Sequence, residues 1–173
     1  MGYTLVLGGA RSGKSRYAQR AAEAASAISD TKPIAIVTAQ IYDDEMAERV
    51  AKHREERGDE WATVEAPLDL PQAIAALGQG DVAVIDCMTL WITNVMLAER
   101  DIGQQTRAIL AALKSTPAKI WVVSNEVGWG IVPDNALARR FRDEAGRFNQ
   151  ALAECADHSI LIVAGMKLNL ARQ

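Results

Sequence analysis

Eight residues near the start, Gly8-Gly9-Ala10-Arg11-Ser12-Gly13-Lys14-Ser15, constrain the fold more than any other stretch. They fit the pattern GxxxxGK[ST]; an apolar run, YTLVLG at 3–8, leads in, and an amphipathic stretch at about 14 to 28 leads out. A glycine-rich turn from strand to helix gathers backbone N–H groups and the positive end of the helix on one point, a ready place for a phosphate. Lys14 then reaches the β- and γ-oxygens as a point charge, and the Ser15 hydroxyl is placed to hold magnesium. Glycine is needed where the backbone itself approaches the ligand. A chain organised round such a turn requires a strand before it and a helix after it, which commits it to the α/β class.

The rest of the chain repeats that alternation. PIAIVT (33–38), DVAVID (81–86), KIWVVS (119–124) and SILIVA (159–164) join the first run as five segments apolar nearly throughout, the pattern of strands buried on both faces of a parallel sheet. Amphipathic stretches fall between them at 14–28, 43–57, 68–78, 88–114 with a break near Gly103, and 134–156. The expectation is a mostly parallel sheet with helices on both faces, forming a single P-loop NTPase-type domain over residues 1–173. In the last helix Leu137, Phe141, Ala145, Phe148, Leu152 and Cys155 make one apolar stripe. Pro133 and Asp134 suit its start, and Gly146 in its interior points to a close backbone contact.

Composition narrows the partners. Of 173 residues, 49% are hydrophobic and 24% charged, enough to bury a core without disulfides or a structural metal. A net charge of -3 leaves no general basic field for nucleic acid, and no apolar run reaches the roughly 20 residues that span a bilayer. Small molecules are the expected partners, a nucleoside triphosphate first. Cys87 and Cys155 stand far apart and outside any CxxC pattern, which reads as two reduced, buried thiols. With no signal-peptide pattern at the N-terminus, the expected location is the cytoplasm.

Three further places carry chemistry. DVAVID ends in Asp86, where a carboxylate can hold magnesium opposite Ser15; a cap or turn residue is the other reading. The stretch DDEMAERVAKHREERG (43–58) opens with acids and closes with Arg54 and Arg57, a helix matched to its dipole at both ends. Met46, Val50, His53 and Arg57 share one face of it. An imidazole there can attack an α-phosphorus to give a phosphoramidate, with the arginines stabilising the transferring charge. A half-buried histidine on a salt-bridged helix has the same signature, so these residues alone leave both readings open. SNEVGWGIVP follows the fourth strand at the carboxyl edge of the sheet, where ligands of open α/β sheets bind. Glu126 in it either orients an acceptor hydroxyl or a metal, or caps a tight turn. His158, beside Asp157, reads as a turn residue.

Taken with DCMTLWITN (86–94) and the long run SNEVGWGIVPDNALARRFRDEAGRFNQALAECAD (124–157), the loop and the DDEMAERVAKHR helix occur in an order that is specific. Over nearly its whole length the chain resembles the bifunctional adenosylcobinamide kinase/adenosylcobinamide-phosphate guanylyltransferase family of cobalamin biosynthesis. The resemblance implies two reactions at one P-loop domain. The aminopropanol hydroxyl of adenosylcobinamide is phosphorylated from ATP or GTP; GMP is then transferred from GTP to that phosphate through a guanylylated histidine, with release of pyrophosphate. It implies His53 as nucleophile and Lys14 as its catalytic partner in the loop. Contacts to GTP are implied at Gly8 to Ser15, at Thr38, Ala39 and Gln40, at Arg54, Glu55, Glu56 and Arg57, at Glu65 and at Asp86, with Mg2+ on Ser15 and Asp86. Some relatives carry two adjacent histidines where this chain has Lys52-His53, so one candidate nucleophile stands here. A corrinoid partner, a homo-oligomer that in relatives is often a trimer, and movement of the His53 helix towards the phosphate loop are implied as well. Trp91 and Trp129 read as packing residues, with contact to the corrin ring as the alternative.

Overall fold

Strands that alternate between two apolar faces must be covered on both, and the two cores of this protein record that alternation. The computed structural model describes residues 2–40 and 44–171, and the side chains at 45, 46, 49, 52, 53 and 56 lie outside that description. In chain order the elements are β1 (Tyr3–Gly8), α1 (Lys14–Ser29), β2 (Ile34–Val37), α2 (Asp44–Arg57), β3 (Ala62–Glu65), α3 (Leu70–Ala75) and β4 (Val82–Asp86). They continue with α4 (Met88–Leu97), α5 (Ile102–Ser115), β5 (Lys119–Asn125), α6 (Ala136–Cys155), β6 (His158–Val163) and β7 (Met166–Leu170). All seven strands form one sheet in the order β3-β2-β4-β5-β1-β6-β7. Every pairing is parallel except the last, where β7 returns antiparallel on β6.

Leu5, Ile36, Ala83, Ile85, Ile120 and Val122 belong to one core, together with buried residues of α3, α4, α5 and α6. Their sequence neighbours Val6, Ala35, Val82, Val84, Trp121 and Val123 belong to the other, with Ala18, Ala22 and Ala25 of α1. A period of two along each strand therefore sends alternate side chains to opposite layers, and helices lie on both faces. The first core centres on Trp91, fully buried, whose ring lies 5.5 Å from that of Phe148. That makes Trp91 a packing residue, while Trp129 is 76% exposed.

Two strands escaped the sequence pattern. β3 (ATVE) and β7 (MKLNL) are the sheet's edges and are mostly or wholly exposed, so neither needs the continuous apolar run of a central strand. The stretch expected over 88–114 does break near Gly103, at 98–101: Ala98 closes α4, Glu99 takes a left-handed φ of 53°, and the Asp101 carboxylate caps α5 by accepting from the Gln104 N–H. A good cap sets a helix start more firmly than a tolerated glycine ends one. By the same logic α6 starts at Ala136 behind Asn135, whose side chain accepts from the Ala138 N–H, and not at Asp134.

Three expectations for α6 and its neighbours are corrected. Cys155 is exposed, as is Leu137 at 59%, so the apolar stripe packs only in its middle. Leu152 and Ala156 on either side of Cys155 are buried in the first core, so Cys155 lies off the inward face, while Leu137 precedes by one turn the partly buried Phe141 that packs against that core. No atom lies within 4 Å of a Cβ built on Gly146, so the close contact expected there does not exist. His158 is the first residue of β6, in register with Thr4, and is not in a turn.

Candidate functional site

The loop after β1 is shaped by three backbone constraints. A Cβ on Gly8 would lie 2.5 Å from the Ser12 Oγ and 2.6 Å from the Ile162 carbonyl oxygen, so only glycine fits. Ser12 Oγ occupies that space, buried and with no hydrogen-bond partner among the described residues. Gly13 turns the chain at a φ of 97°, and Arg11 also takes a left-handed conformation. The loop is fastened from behind: the Gly165 N–H donates to the Ser12 carbonyl at 2.8 Å, and the Glu126 N–H donates to the Gly8 carbonyl at 3.1 Å. Within it the Lys14 ammonium donates to the Gly9 carbonyl at 3.1 Å.

Helix α1 begins without help from any side chain. Gly13 offers no cap and the first turn carries no acid, whereas α5 and α6 are capped by Asp101 and Asn135. The positive end of a 16-residue helix thus faces the loop uncompensated, a suitable environment for an anion.

In front of the loop lies a cavity of about 350 Å³, within the size range of small-ligand sites. Its walls come from four regions: Ala10, Arg11, Lys14 and Ser15 of the loop and α1; Val37 and Ala39 at the end of β2; Val50 and Arg57 of α2; and Asp86, Cys87, Leu90, Asn125 and Val127 at the ends of β4 and β5. Parallel strands all end at the same edge, so residues more than 100 positions apart meet there. An ammonium, a hydroxyl, a carboxylate and a guanidinium share one space.

Beneath the cavity runs a set of buried hydrogen bonds. The Thr38 hydroxyl donates to the Cys87 carbonyl at 2.7 Å and accepts from the Cys87 N–H at 3.0 Å, tying the end of β2 to that of β4. The Asn94 amide donates to the carbonyls of Thr38 and Pro67. On the other side the Asn125 amide donates to the Thr89 hydroxyl at 2.6 Å and lies 3.7 Å from the Cys87 sulfur. Asn149 of α6 donates to the Asn125 carbonyl and accepts from the Ser124 hydroxyl. Burial, reinforced by the neighbouring Asp86 charge, raises the pKa of the Cys87 thiol. Held as a thiol, it is a poor nucleophile although it lines the cavity.

Of the residues singled out from sequence, Ala10, Arg11, Lys14, Ser15, Ala39, Arg57 and Asp86 meet on the cavity. Thr38 is fully buried below it, with its hydroxyl already shared with the Cys87 backbone. Glu65 ends β3, exposed and in register with Val37. Arg54 and Glu55 are exposed on α2. His53 and Glu56 lie in α2, but their side chains are outside the described residues. Glu126 accepts a hydrogen bond from the Gly128 N–H at 2.8 Å, the turn-capping role. Cys87, Thr89, Asn94, Asn125 and Asn149 are further site residues; they lie in the DCMTLWITN and 124–157 stretches, but no chemistry attaches to them individually until the strand ends bring them together.

The family model described as cobinamide kinase / cobinamide phosphate guanyltransferase matches residues 4–170. The bifunctional adenosylcobalamin biosynthesis protein CobP of Pseudomonas aeruginosa is 43% identical over 170 residues, covering 96% of this chain and 95% of that protein. The bifunctional adenosylcobalamin biosynthesis proteins CobU of Salmonella typhimurium and Escherichia coli are 41% and 39% identical, each over 96% of this chain and 98% of its own length. Among solved structures, the KaiC-like protein PH0186 of Pyrococcus horikoshii aligns with a TM-score of 0.48 at 15% identity, over 92% of this chain and 70% of that one.

Proposed function

The chain belongs to the cobinamide kinase / cobinamide phosphate guanyltransferase family, and from that premise we propose that the one cavity in front of the phosphate loop carries both reactions. In the first, the aminopropanol hydroxyl of adenosylcobinamide takes the γ-phosphoryl group of ATP or GTP. In the second, GMP passes from GTP to the resulting phosphate, giving adenosylcobinamide-GDP and pyrophosphate. The observation that carries this reading is that the loop, the end of β4 and the helix bearing His53 all open onto the same space.

The loop N–H groups and the free end of α1 bind the phosphates, and Lys14 leaves the Gly9 carbonyl for the β- and γ-oxygens. Ser15 and Asp86 offer a hydroxyl and a carboxylate on one cavity, hard oxygen donors of the kind magnesium prefers. Bound there, Mg2+ would neutralise charge on the phosphate oxygens. Phosphoryl transfer needs positioning and charge stabilisation more than covalent help, so this set suffices for the kinase step.

Guanylyl transfer is directed at a different phosphorus and needs a nucleophile. We assign it to His53: an imidazole nitrogen attacks the α-phosphorus, the bond to the bridging oxygen breaks, and pyrophosphate leaves with that electron pair. An oxygen of the corrinoid phosphate then attacks the same phosphorus, and the P–N bond breaks to restore the imidazole. Arg57, on the cavity, and Arg54 stabilise the charge in transit. A closing motion of α2 delivers the imidazole, and the same contacts proposed from the resemblance hold GTP, with Thr38 acting through the β2 and β4 backbone it joins. The proposal places this chemistry in the cytoplasm, in one domain that works as a homo-oligomer; no described helix is long and apolar enough to cross a membrane.

The test is to incubate the protein with magnesium and GTP labelled at the α-phosphate, beside a His53→Ala variant. Acid-labile, alkali-stable label should stay on the denatured wild-type chain alone. Label on neither protein, with GTP binding intact, would remove His53 from the mechanism and leave a simple kinase.

A further inference from the structure

We propose that Asn125 receives the acceptor hydroxyl of the kinase step, an inference that rests on the function proposed above. β5 is inserted between β1, which leads into the phosphate loop, and β4, which ends at Asp86. Asn125, its last residue, is in register with Gly8 and lines the cavity. It therefore stands between the phosphate-binding loop and the carboxylate proposed to hold the metal, where the γ-phosphate and its acceptor must meet.

The side chain is held in one orientation. Its Nδ2 donates to the Thr89 hydroxyl at 2.6 Å and faces the Cys87 sulfur at 3.7 Å, which engages both N–H bonds. Behind it, Asn149 of α6 donates to the Asn125 carbonyl at 3.1 Å and accepts from Ser124 at 2.7 Å, fixing the strand end. The Oδ1 has no partner among the described residues. A fixed amide oxygen can only accept a hydrogen bond. Ionised phosphates offer acceptors alone, so this oxygen does not suit the nucleotide's phosphates; it suits an alcohol.

The two reactions differ in this respect. In the kinase step the acceptor is an alcohol: its oxygen attacks the γ-phosphorus, the bond to the β–γ bridging oxygen breaks, the nucleoside diphosphate leaves with the electron pair, and the hydroxyl proton passes to water. Asn125 needs no basicity for this; it aims the oxygen by accepting its hydrogen bond until the proton departs. In the guanylyl step the nucleophiles are an imidazole and then a phosphate, neither of which needs that acceptor. Asn125 is thus a residue of the first reaction and not of the second.

Asn125→Ala is assayed for phosphate transfer from γ-labelled ATP to cobinamide and, in the same preparation, for α-label from GTP on the chain. The kinase kcat should fall about 10²-fold, the cost of a misaimed acceptor, while label on the chain stays at the wild-type level. Proportional loss of both activities, or loss of neither, would overturn the proposal. A second measurement uses the unaltered protein: a cobinamide analogue with hydrogen in place of the hydroxyl should compete up to about tenfold more weakly than cobinamide, the worth of one hydrogen bond, and Asn125→Ala should not distinguish the two. Equal competition on the wild type also overturns it, even where the variant does not fold. A wild-type protein that transfers no phosphate to cobinamide would instead refute the functional reading, before any variant is made.

Discussion

The phosphate loop and the polar cluster beneath the cavity solve the same problem in opposite ways. The loop is eight consecutive residues, shaped by its own glycines and closed by a local Ser12 N–H to Gly9 carbonyl bond of 3.3 Å. The cluster draws Thr38, Asn94, Thr89, Ser124 and Asn149 from separate elements, with bonds between residues as far apart as 56 positions. The loop presents charge at the surface of the cavity; the cluster lies buried and joins the ends of β2, β4, β5 and α6. In the function proposed, the loop supplies charge for the chemistry and the cluster holds the strand ends at the spacing that chemistry needs. Changes in the loop should therefore cost activity before stability, and changes in the cluster, Asn125 apart, stability before activity.

Lys14→Ala is the strongest test of that division. Removing the loop ammonium should lower both phosphoryl and guanylyl transfer by about 10²- to 10³-fold, the usual loss for one charge-stabilising donor. Stability should fall by no more than about 1 kcal/mol, the net value of the bond to Gly9. A thermal melt beside the two label-transfer assays measures both. A large loss of stability would break the comparison, because the loop would then be part of the scaffold.

Thr38→Val should do the reverse. Valine keeps the shape but leaves the Cys87 N–H unpaired in a fully buried position, while the Cys87 carbonyl keeps only the bond from the Trp91 N–H. That should cost about 2 to 3 kcal/mol in a denaturant titration, with activity at low temperature falling far less than in Lys14→Ala. An unchanged denaturation midpoint would mean that the β2 and β4 ends are held by the sheet alone.

The same division decides how much could be read from the residues in order. The loop, the central strands and the amphipathic helices are local patterns, and each is present close to where its pattern puts it, with helix ends moved to the Asp101 and Asn135 caps. β3 and β7 were missed because an edge strand, paired on one side and exposed, has no apolar run to detect. Cys155 and Leu137 depart from the expected burial because a helical stripe marks a face and not its exact edges: Leu152 and Ala156 are buried while Cys155 between them is exposed. The places of Lys14, Ser15 and Asp86 on the cavity were legible because the loop motif and the end of an apolar strand put them at the carboxyl edge of the sheet. Asn125 and Thr89 were not, since an asparagine and a threonine acquire meaning only from a partner 36 positions away. Family resemblance implied Thr38 as a nucleotide contact, and the structure shows its hydroxyl bonded to the Cys87 backbone, a partner no sequence pattern points to.

Gly146 offers the smallest effect and the opposite sign. It lies in α6 one turn before Asn149, the residue that pins the end of β5, so the helix there supports the cluster directly. Glycine in a helix interior costs about 0.5 to 1 kcal/mol relative to alanine, mainly through the freedom it has when unfolded. Position 146 is half-buried, yet a Cβ would meet nothing within 4 Å, so alanine introduces no clash. Gly146→Ala should therefore raise stability by about 0.5 to 1 kcal/mol in a denaturant titration. If stiffening α6 only strengthens the scaffold, both transfer activities stay at the wild-type level. If the kinase rate alone falls, α6 must flex for Asn125 to meet the acceptor, and the residues behind Asn125 would be part of the chemistry as well as its frame.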